Sequence, residues 1–184
     1  QFFKDKGIDI IFTREPGGTP IGERIRSIIL DRDCAEMDDM TEAMLYAAAR
    51  AQHVAQVIRP ALSAGKIVIC DRFVDSSIAY QGYGRGLGEA VSVINDYAVC
   101  GCLPDVTFLM KMDPRVGRRR INVQQQDRLE REKDDFHVRT YEGYLELEKK
   151  YPGRIVGIDA ARSIEEIKID IYKKLEEVLK GVTE

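Results

Sequence analysis

The run Ile67-Val68-Ile69-Cys70 ends at Asp71-Arg72, and this junction is where the sequence concentrates its chemistry. Four apolar, mostly β-branched residues read as a short strand buried on both faces, as in a parallel sheet. Ligands of open α/β sheets bind outside the carboxyl ends of the strands, which puts Asp71 and Arg72 at a binding edge. Arg72 offers a flat fork of donors to a phosphate. Asp71 can take a metal ion, a metal-bound water or another arginine. A structural ion pair closing a strand would read the same way, so the weight lies on what surrounds the pair.

Arg14-Glu15 closes a second apolar run, and two strand ends that each deliver an arginine and a carboxylate suggest a phosphate and Mg²⁺ handled together. Tyr46 and Arg50 lie four apart on a helical stretch and share a face. A ring beside a guanidinium can hold a nucleobase, although a core tyrosine next to a surface arginine would look identical. Ser76, Ser77, Tyr80 and Gln81 return toward the same edge with hydroxyls, a flat ring and an amide. A turn stabilised by the two serines is the competing reading. Arg115, Arg118, Arg119, Arg120, Arg128 and Arg131 gather around the polar break Asn122–Gln126. Such a run is ordinarily a solvated helix face; it is also what a flap closing over phosphates needs.

The elements that must position these groups follow from periodicity. Gln1 to Gly7 reads as the end of a helix, with Gly7 as C-cap. Ile8 to Phe12 reads as a strand, and Thr13 to Thr19 as a turn rich in Gly and Pro. Ile21, Ile25, Ile28 and Ile29 mark one helical face. A long helix is expected from Thr41, as N-cap, to Ala64, kinked by Pro60. Ser76 to Gly88 is glycine-rich and looks mobile. A helix over Glu89–Val99, a strand over Val106–Met112, a helix from Arg128 to Lys150 and a strand over Ile155–Ile158 follow. Ser163 and Glu166 form a capping box for a last helix. Strands alternate with helices throughout, so the expected fold is α/β, a parallel sheet flanked by helices in a single domain over 1–184.

Composition bounds the function. The 184 residues carry a net charge of −3, with 44% hydrophobic and 32% charged residues. An acidic chain is no general binder of nucleic acid, so any phosphate site must be a local arginine cluster. No apolar run is long enough to span a bilayer. Cys34, Cys70, Cys100 and Cys102 have neither disulfide-framework density nor metal spacing, which suggests reduced thiols in a cytoplasmic protein.

Taken together, Thr13-Arg14-Glu15-Pro16-Gly17-Gly18-Thr19, the stretch Ala43–Val54, Asp71-Arg72-Phe73, Asp75–Gly88 and Asp127-Arg128-Leu129-Glu130 resemble bacterial thymidylate kinases of the P-loop nucleoside monophosphate kinase family. The resemblance covers essentially the whole chain. It implies phosphoryl transfer from ATP to dTMP, with Mg²⁺, in a homodimer. It implies that Tyr46 stacks on thymine, where the family more often has phenylalanine, and that Arg50 bonds the carbonyl edge of the base. Arg72 would grip the acceptor phosphate, with Arg26 near it, and Glu15 and Pro16 would belong to the substrate site. Ser76, Ser77 and Gln81 would line the base pocket, with Tyr80 beneath the sugar. Glu15 and Asp71 would order Mg²⁺, mostly through water. Arg118, Arg120 or Arg128, in a lid at about 115–131, would supply a catalytic arginine. No G-x-x-x-x-G-K-[ST] occurs in the sequence. The first strand and the phosphate loop are therefore expected upstream of Gln1, and these residues alone should bind ATP poorly. Two alternatives stay open: another nucleotide kinase of the same fold, and a catalytically inactive nucleotide-binding protein.

Overall fold

The computed structural model describes residues 2–118 and 126–183, the side chains at 117, 118 and 181–183 excepted. In chain order the elements are α1 (Phe2–Asp5), β1 (Ile10–Arg14), α2 (Pro20–Leu30), α3 (Asp39–His53), α4 (Arg59–Ser63), β2 (Ile67–Asp71), α5 (Val74–Ser77), α6 (Glu89–Val99), β3 (Thr107–Lys111), α7 (Pro114–Arg118), α8 (Asp134–Lys150), β4 (Ile155–Asp159) and α9 (Ile164–Thr183). Two π-helical turns, Val54–Ile58 and Ile78–Gly84, join α3 to α4 and extend α5.

The strands are all parallel, as the alternation with helices requires, and they form two pairs. β1 pairs with β2 from Ile10↔Ile67 to Arg14↔Asp71, and β3 pairs with β4 from Thr107↔Ile155 to Lys111↔Asp159. Among the described residues the pairs are not hydrogen-bonded to each other. Asp75, buried at the start of α5, links them. Its carboxylate accepts from Thr107 Oγ1 at 2.9 Å and from both terminal nitrogens of Arg154 at 2.7 and 2.6 Å. With one neighbour each, the strands are half-covered. Ile67 to Cys70 are only partly buried and Phe12 is 73% exposed, which corrects the expectation of a strand enclosed on both faces.

Boundaries moved where partners overrode local composition. Thr13 and Arg14 continue β1 because Cys70 and Asp71 are there to pair with them. The N-cap of α3 is Asp38, not Thr41; its carboxylate accepts from the backbone N–H groups of Met40 and Thr41. Pro60 follows a π turn, since a residue without N–H cannot continue the ladder and its ring crowds the carbonyl one turn back. On α2, Ile29 is fully buried but Ile21 and Ile28 are about half exposed, so the apolar face is narrower than the pattern suggested. Arg128–Arg131 are turns, with α8 beginning only at Asp134. The capping box on α9 is present: Glu166 Oε2 accepts from Ser163 N at 3.0 Å, and Ser163 Oγ from Glu166 N at 3.4 Å.

The largest departure is the glycine-rich Ser76–Gly88 stretch. Through Gly84 it is helical and packs tightly on α8. A Cβ on Gly84 would lie 2.6 Å from Thr140 Oγ1 and 2.8 Å from the Phe136 ring, and Arg139 donates two hydrogen bonds to the Gly84 carbonyl. The glycine is there for close approach, which is what periodicity cannot reveal. Two small apolar cores flank this contact. Ala79, Leu109, Leu147 and Ile155 form one, and Ile29, Leu129 and Phe136 the other. No described helix is long and apolar enough to cross a membrane.

Replacing Gly84 with alanine forces two buried α8 side chains to move. It should cost about 1–3 kcal/mol in urea unfolding; an unchanged midpoint would mean that the contact is looser than it looks.

Candidate active site

Parallel pairing sets the site. Arg14 and Asp71 stand opposite each other at the strand ends, and the Glu15 N–H donates to the Asp71 carbonyl at 3.0 Å. The next residue of each strand therefore enters the same crevice. Gly17 and Gly18, with φ of +130° and +76°, then turn the chain tightly enough for Gly18 to lie against His53. Thr19 caps α2, its hydroxyl accepting from Gly22 N.

One buried polar chain organises the crevice. Arg50 is 1% exposed. Its Nε donates to Glu15 Oε2 at 2.7 Å, and its Nη1 donates to Ser77 Oγ at 2.9 Å and to Asn95 Oδ1. Asn95 is held in turn by a bond from its amide nitrogen to the Val91 carbonyl. Glu15 Oε1 accepts from His53 Nδ1 at 2.9 Å, since a carboxylate takes only donors, and the other ring nitrogen meets Thr13 Oγ1 at 2.7 Å. Both Glu15 oxygens are thus engaged.

A cleft opens beside this chain. Every residue assigned above to the base, sugar and acceptor phosphate lines it: Glu15, Pro16, Arg26, Tyr46, Arg50, Arg72, Ser76, Ser77, Tyr80 and Gln81. Leu30, Asp127, Leu129, Glu130 and His137 complete the wall. Tyr46 packs against the Ile29–Leu129–Phe136 core, and burial raises its phenol pKa, so the ring is a neutral flat surface. Ser76 Oγ shares a 2.7 Å hydrogen bond with Tyr144, whose phenol burial pushes up to about 12.

The charges on the wall are not equally available. Arg50 is balanced by Glu15. Asp127 and Glu130 bind each other's backbone, Asp127 N donating to Glu130 Oε2 and Glu130 N to Asp127 Oδ1. Arg26 donates to the neutral Pro16 carbonyl at 2.9 Å, and Arg72 donates to Tyr80 Oη at 3.3 Å with its guanidinium over that ring. Among the described residues, then, neither Arg26 nor Arg72 is hydrogen-bonded to a carboxylate. Two such guanidinium groups in one cleft suit a dianion such as a phosphate monoester. Arg72 also holds φ of +63°, a backbone conformation costly for any side chain but glycine.

Some expected roles do not fit this geometry. Each Glu15 oxygen already accepts one hydrogen bond, from Arg50 or from His53, so any Mg²⁺-bound water it orders would share an oxygen with the buried framework. Asp71 is exposed at the end of β2 and does not line the cleft. No group of three His, Cys, Asp or Glu side chains stands ready for a metal among the described residues. A single open carboxylate still fits Mg²⁺, which takes few protein ligands and fills its shell with water and phosphate oxygens. Arg128 is turned away from the cleft: its Nη2 donates to Glu42 Oε2 at 2.5 Å and its Nε to the Ile29 carbonyl at 2.9 Å. Buried Glu42 outcompetes the cleft for that guanidinium. Arg115 and Arg131 are exposed. The Arg118 side chain, Arg119 and Arg120 lie outside the described residues.

Sequence reading missed His53, Asn95 and Glu42. Glu42, Tyr46, Arg50 and His53 form one helical stripe at spacings of four, four and three, so two of the three carried a detectable signal.

Sequence comparison places this geometry among known proteins. The family model described as "Thymidylate kinase" matches residues 1–171. The thymidylate kinase of Halalkalibacterium halodurans is 48% identical over 183 residues, covering 97% of this chain and 87% of that protein. That of Pediococcus pentosaceus is 50% identical over 183 residues, covering 97% and 86%. That of Geobacillus sp. strain WCH70 is 49% identical over 171 residues, covering 91% and 81%.

Breaking the buried pair with Glu15→Ala would strand the Arg50 charge and should lower stability by about 3–5 kcal/mol in chemical unfolding. Glu42 gives a pH prediction. Burial works to raise its pKa, but hydrogen bonds from Arg85, Gln81 and Arg128 and the Arg85 charge hold it below 4.5. Its contribution is present above about pH 4.5 and is lost as pH falls through the lower folded value. Thermal melts from pH 6 downward should fall more steeply for wild type than for Glu42→Gln; parallel curves would contradict the linkage.

Proposed function

Because this chain belongs to the thymidylate kinase family, we propose that it catalyses transfer of the γ-phosphoryl group of ATP to dTMP, giving dTDP and ADP. The observation that carries the reading to these residues is the convergence of Tyr46, Gln81, Arg26 and Arg72 on one cleft. It joins a flat ring and an amide, suited to a base, with two arginines that lack carboxylate partners among the described residues, suited to a phosphate.

In this reading thymine lies against Tyr46, with Gln81 and Ser77 along its edge, and Tyr80 supports the sugar. Arg72, with Arg26 nearby, holds the acceptor phosphate. Arg50 acts at the base chiefly through its buried framework, since Nε and Nη1 are already committed to Glu15, Ser77 and Asn95. Its Nη2 is the nitrogen that can reach the carbonyl edge. An oxygen of the acceptor phosphate attacks the γ-phosphorus while the bond to the β-bridging oxygen breaks and ADP departs. That oxygen is already ionised at neutral pH, so positioning and charge neutralisation matter more than a general base. Arg72 contributes to both by fixing the acceptor and offsetting its charge. Mg²⁺, when bound, would neutralise donor-phosphate charge, with Asp71 the carboxylate open to its waters. Arg118 and Arg120 are the candidates for a lid arginine over the transferring group; the Arg128–Glu42 bond argues for a bracing role there instead.

A homodimer and a cytoplasmic location belong to the same proposal. Another nucleotide kinase of this fold and an inactive binding protein are the readings it must beat. Titration with dTMP, dUMP, CMP and AMP separates them: dTMP should bind tightest, and CMP binding as tightly would overturn the assignment. Arg72→Gly removes the phosphate contact while relieving the left-handed backbone. It should weaken dTMP binding roughly ten- to hundred-fold with stability unchanged or raised; unaltered affinity would remove Arg72 from the phosphate site.

A further inference from the structure

Gln81 is 1% exposed, lines the cleft, and its Oε1 has no hydrogen-bond partner among the described residues. A buried amide oxygen without a donor is costly, so this atom is set up for a donor that arrives with the ligand. What fixes the amide that way round is Glu42. Its side chain is fully buried and accepts from Gln81 Nε2 at 2.9 Å. A carboxylate only accepts, so Gln81 must turn its nitrogen to Glu42, which leaves its oxygen as the free end of an amide on the cleft wall. We propose that Glu42 is a positioning residue for base selection: it locks the Gln81 amide so that the cleft presents an acceptor, which matches a pyrimidine with N–H at N3 and mismatches one whose N3 is a bare acceptor.

The lock has further anchors. Glu42 Oε1 also receives Arg85 Nε at 3.3 Å, and Oε2 receives Arg85 Nη2 at 2.9 Å and Arg128 Nη2 at 2.5 Å. The carboxylate is therefore held in place and ionised by groups outside the cleft, consistent with its lowered pKa. Arg128 precedes Leu129 and Glu130, both on the cleft wall, so the same carboxylate that orients the amide also braces that wall.

The two arginines make the Glu42→Gln variant informative. They demand the oxygen of the introduced amide at the Oε2 position, which leaves its nitrogen facing Gln81. Gln81 must then flip, accepting from that nitrogen with its own oxygen and turning its NH₂ toward the base. The variant should lose preference for thymine and gain tolerance for cytosine, beyond any general weakening.

The inference rests on the base-pocket reading above, and calorimetric titration of dTMP and dCMP separates the two. Wild type should favour dTMP, Glu42→Gln should cut that preference at least about tenfold, and Glu42→Asp, which remains acceptor-only, should largely retain it. Adding Glu42→Gln to Gln81→Leu should change the preference no further than Gln81→Leu alone. Parallel loss of both ligands in Glu42→Gln, with the preference intact, would overturn the positioning role and leave the base pocket standing. Wild type with no thymine preference would overturn both. Should Glu42→Gln fail to fold, wild type still decides: the Gln81 side-chain NH₂ should be protected from hydrogen exchange with and without dTMP. Exchange as fast as in surface glutamines would overturn the lock.

Discussion

The constraint on which the structure turns is a positive charge with almost no access to water. The Arg50 guanidinium is enclosed in the protein, where an unpaired cation would be very costly, so the fold must deliver a carboxylate and several acceptors to it at once. Glu15 comes from just beyond β1, Ser77 from α5 after β2, and Asn95 from α6, while α3 supplies the arginine itself. Satisfying one side chain therefore brings four elements into register. The cleft is what their meeting leaves open, and its wall inherits the rigidity of the buried bonds behind it.

Helix α3 carries this out along one stripe. His53 steadies Glu15 from below, Arg50 fixes the crossing, Tyr46 presents a flat ring, and Glu42 collects Gln81, Arg85 and Arg128. Buried charge is expensive in stability compared with an apolar core of the same volume, but it fixes orientation in a way that apolar packing does not. Here the two buried carboxylates bonded to or carried by α3 have a division of labour. Glu15 holds the strand end against the helix, and Glu42 holds the segment around Arg128 and the turn after Gly84 to the same helix. Among the described residues, the cleft arginines left without a carboxylate partner, Arg26 and Arg72, are those available to an incoming anion.

Much of this was legible in the sequence because it is local. The run ending at Asp71-Arg72 and the pair Tyr46/Arg50 announce themselves by period and type, and the α/β alternation follows from the same patterns. What was not legible depends on partners far along the chain. That Glu15 is tied into a buried framework requires knowing that His53 and Arg50 both reach it. Arg128 reads as one more member of a basic run until Glu42 claims it. The Ser76–Gly84 stretch reads as a mobile loop because its glycines are common in loops; only the face of α8 explains why Gly84 is needed in a helix. Strand ends shifted for the same reason, since Thr13 and Arg14 are strand residues only when Cys70 and Asp71 lie alongside.

The most direct test is a crystal structure of the protein with dTMP bound. The prediction is one bound nucleotide with thymine on the Tyr46 ring, its N3 within hydrogen-bonding distance of Gln81 Oε1, and its phosphate on Arg72. A nucleotide whose phosphate sits away from Arg72, or whose base lies outside the space between Tyr46 and Gln81, would contradict it.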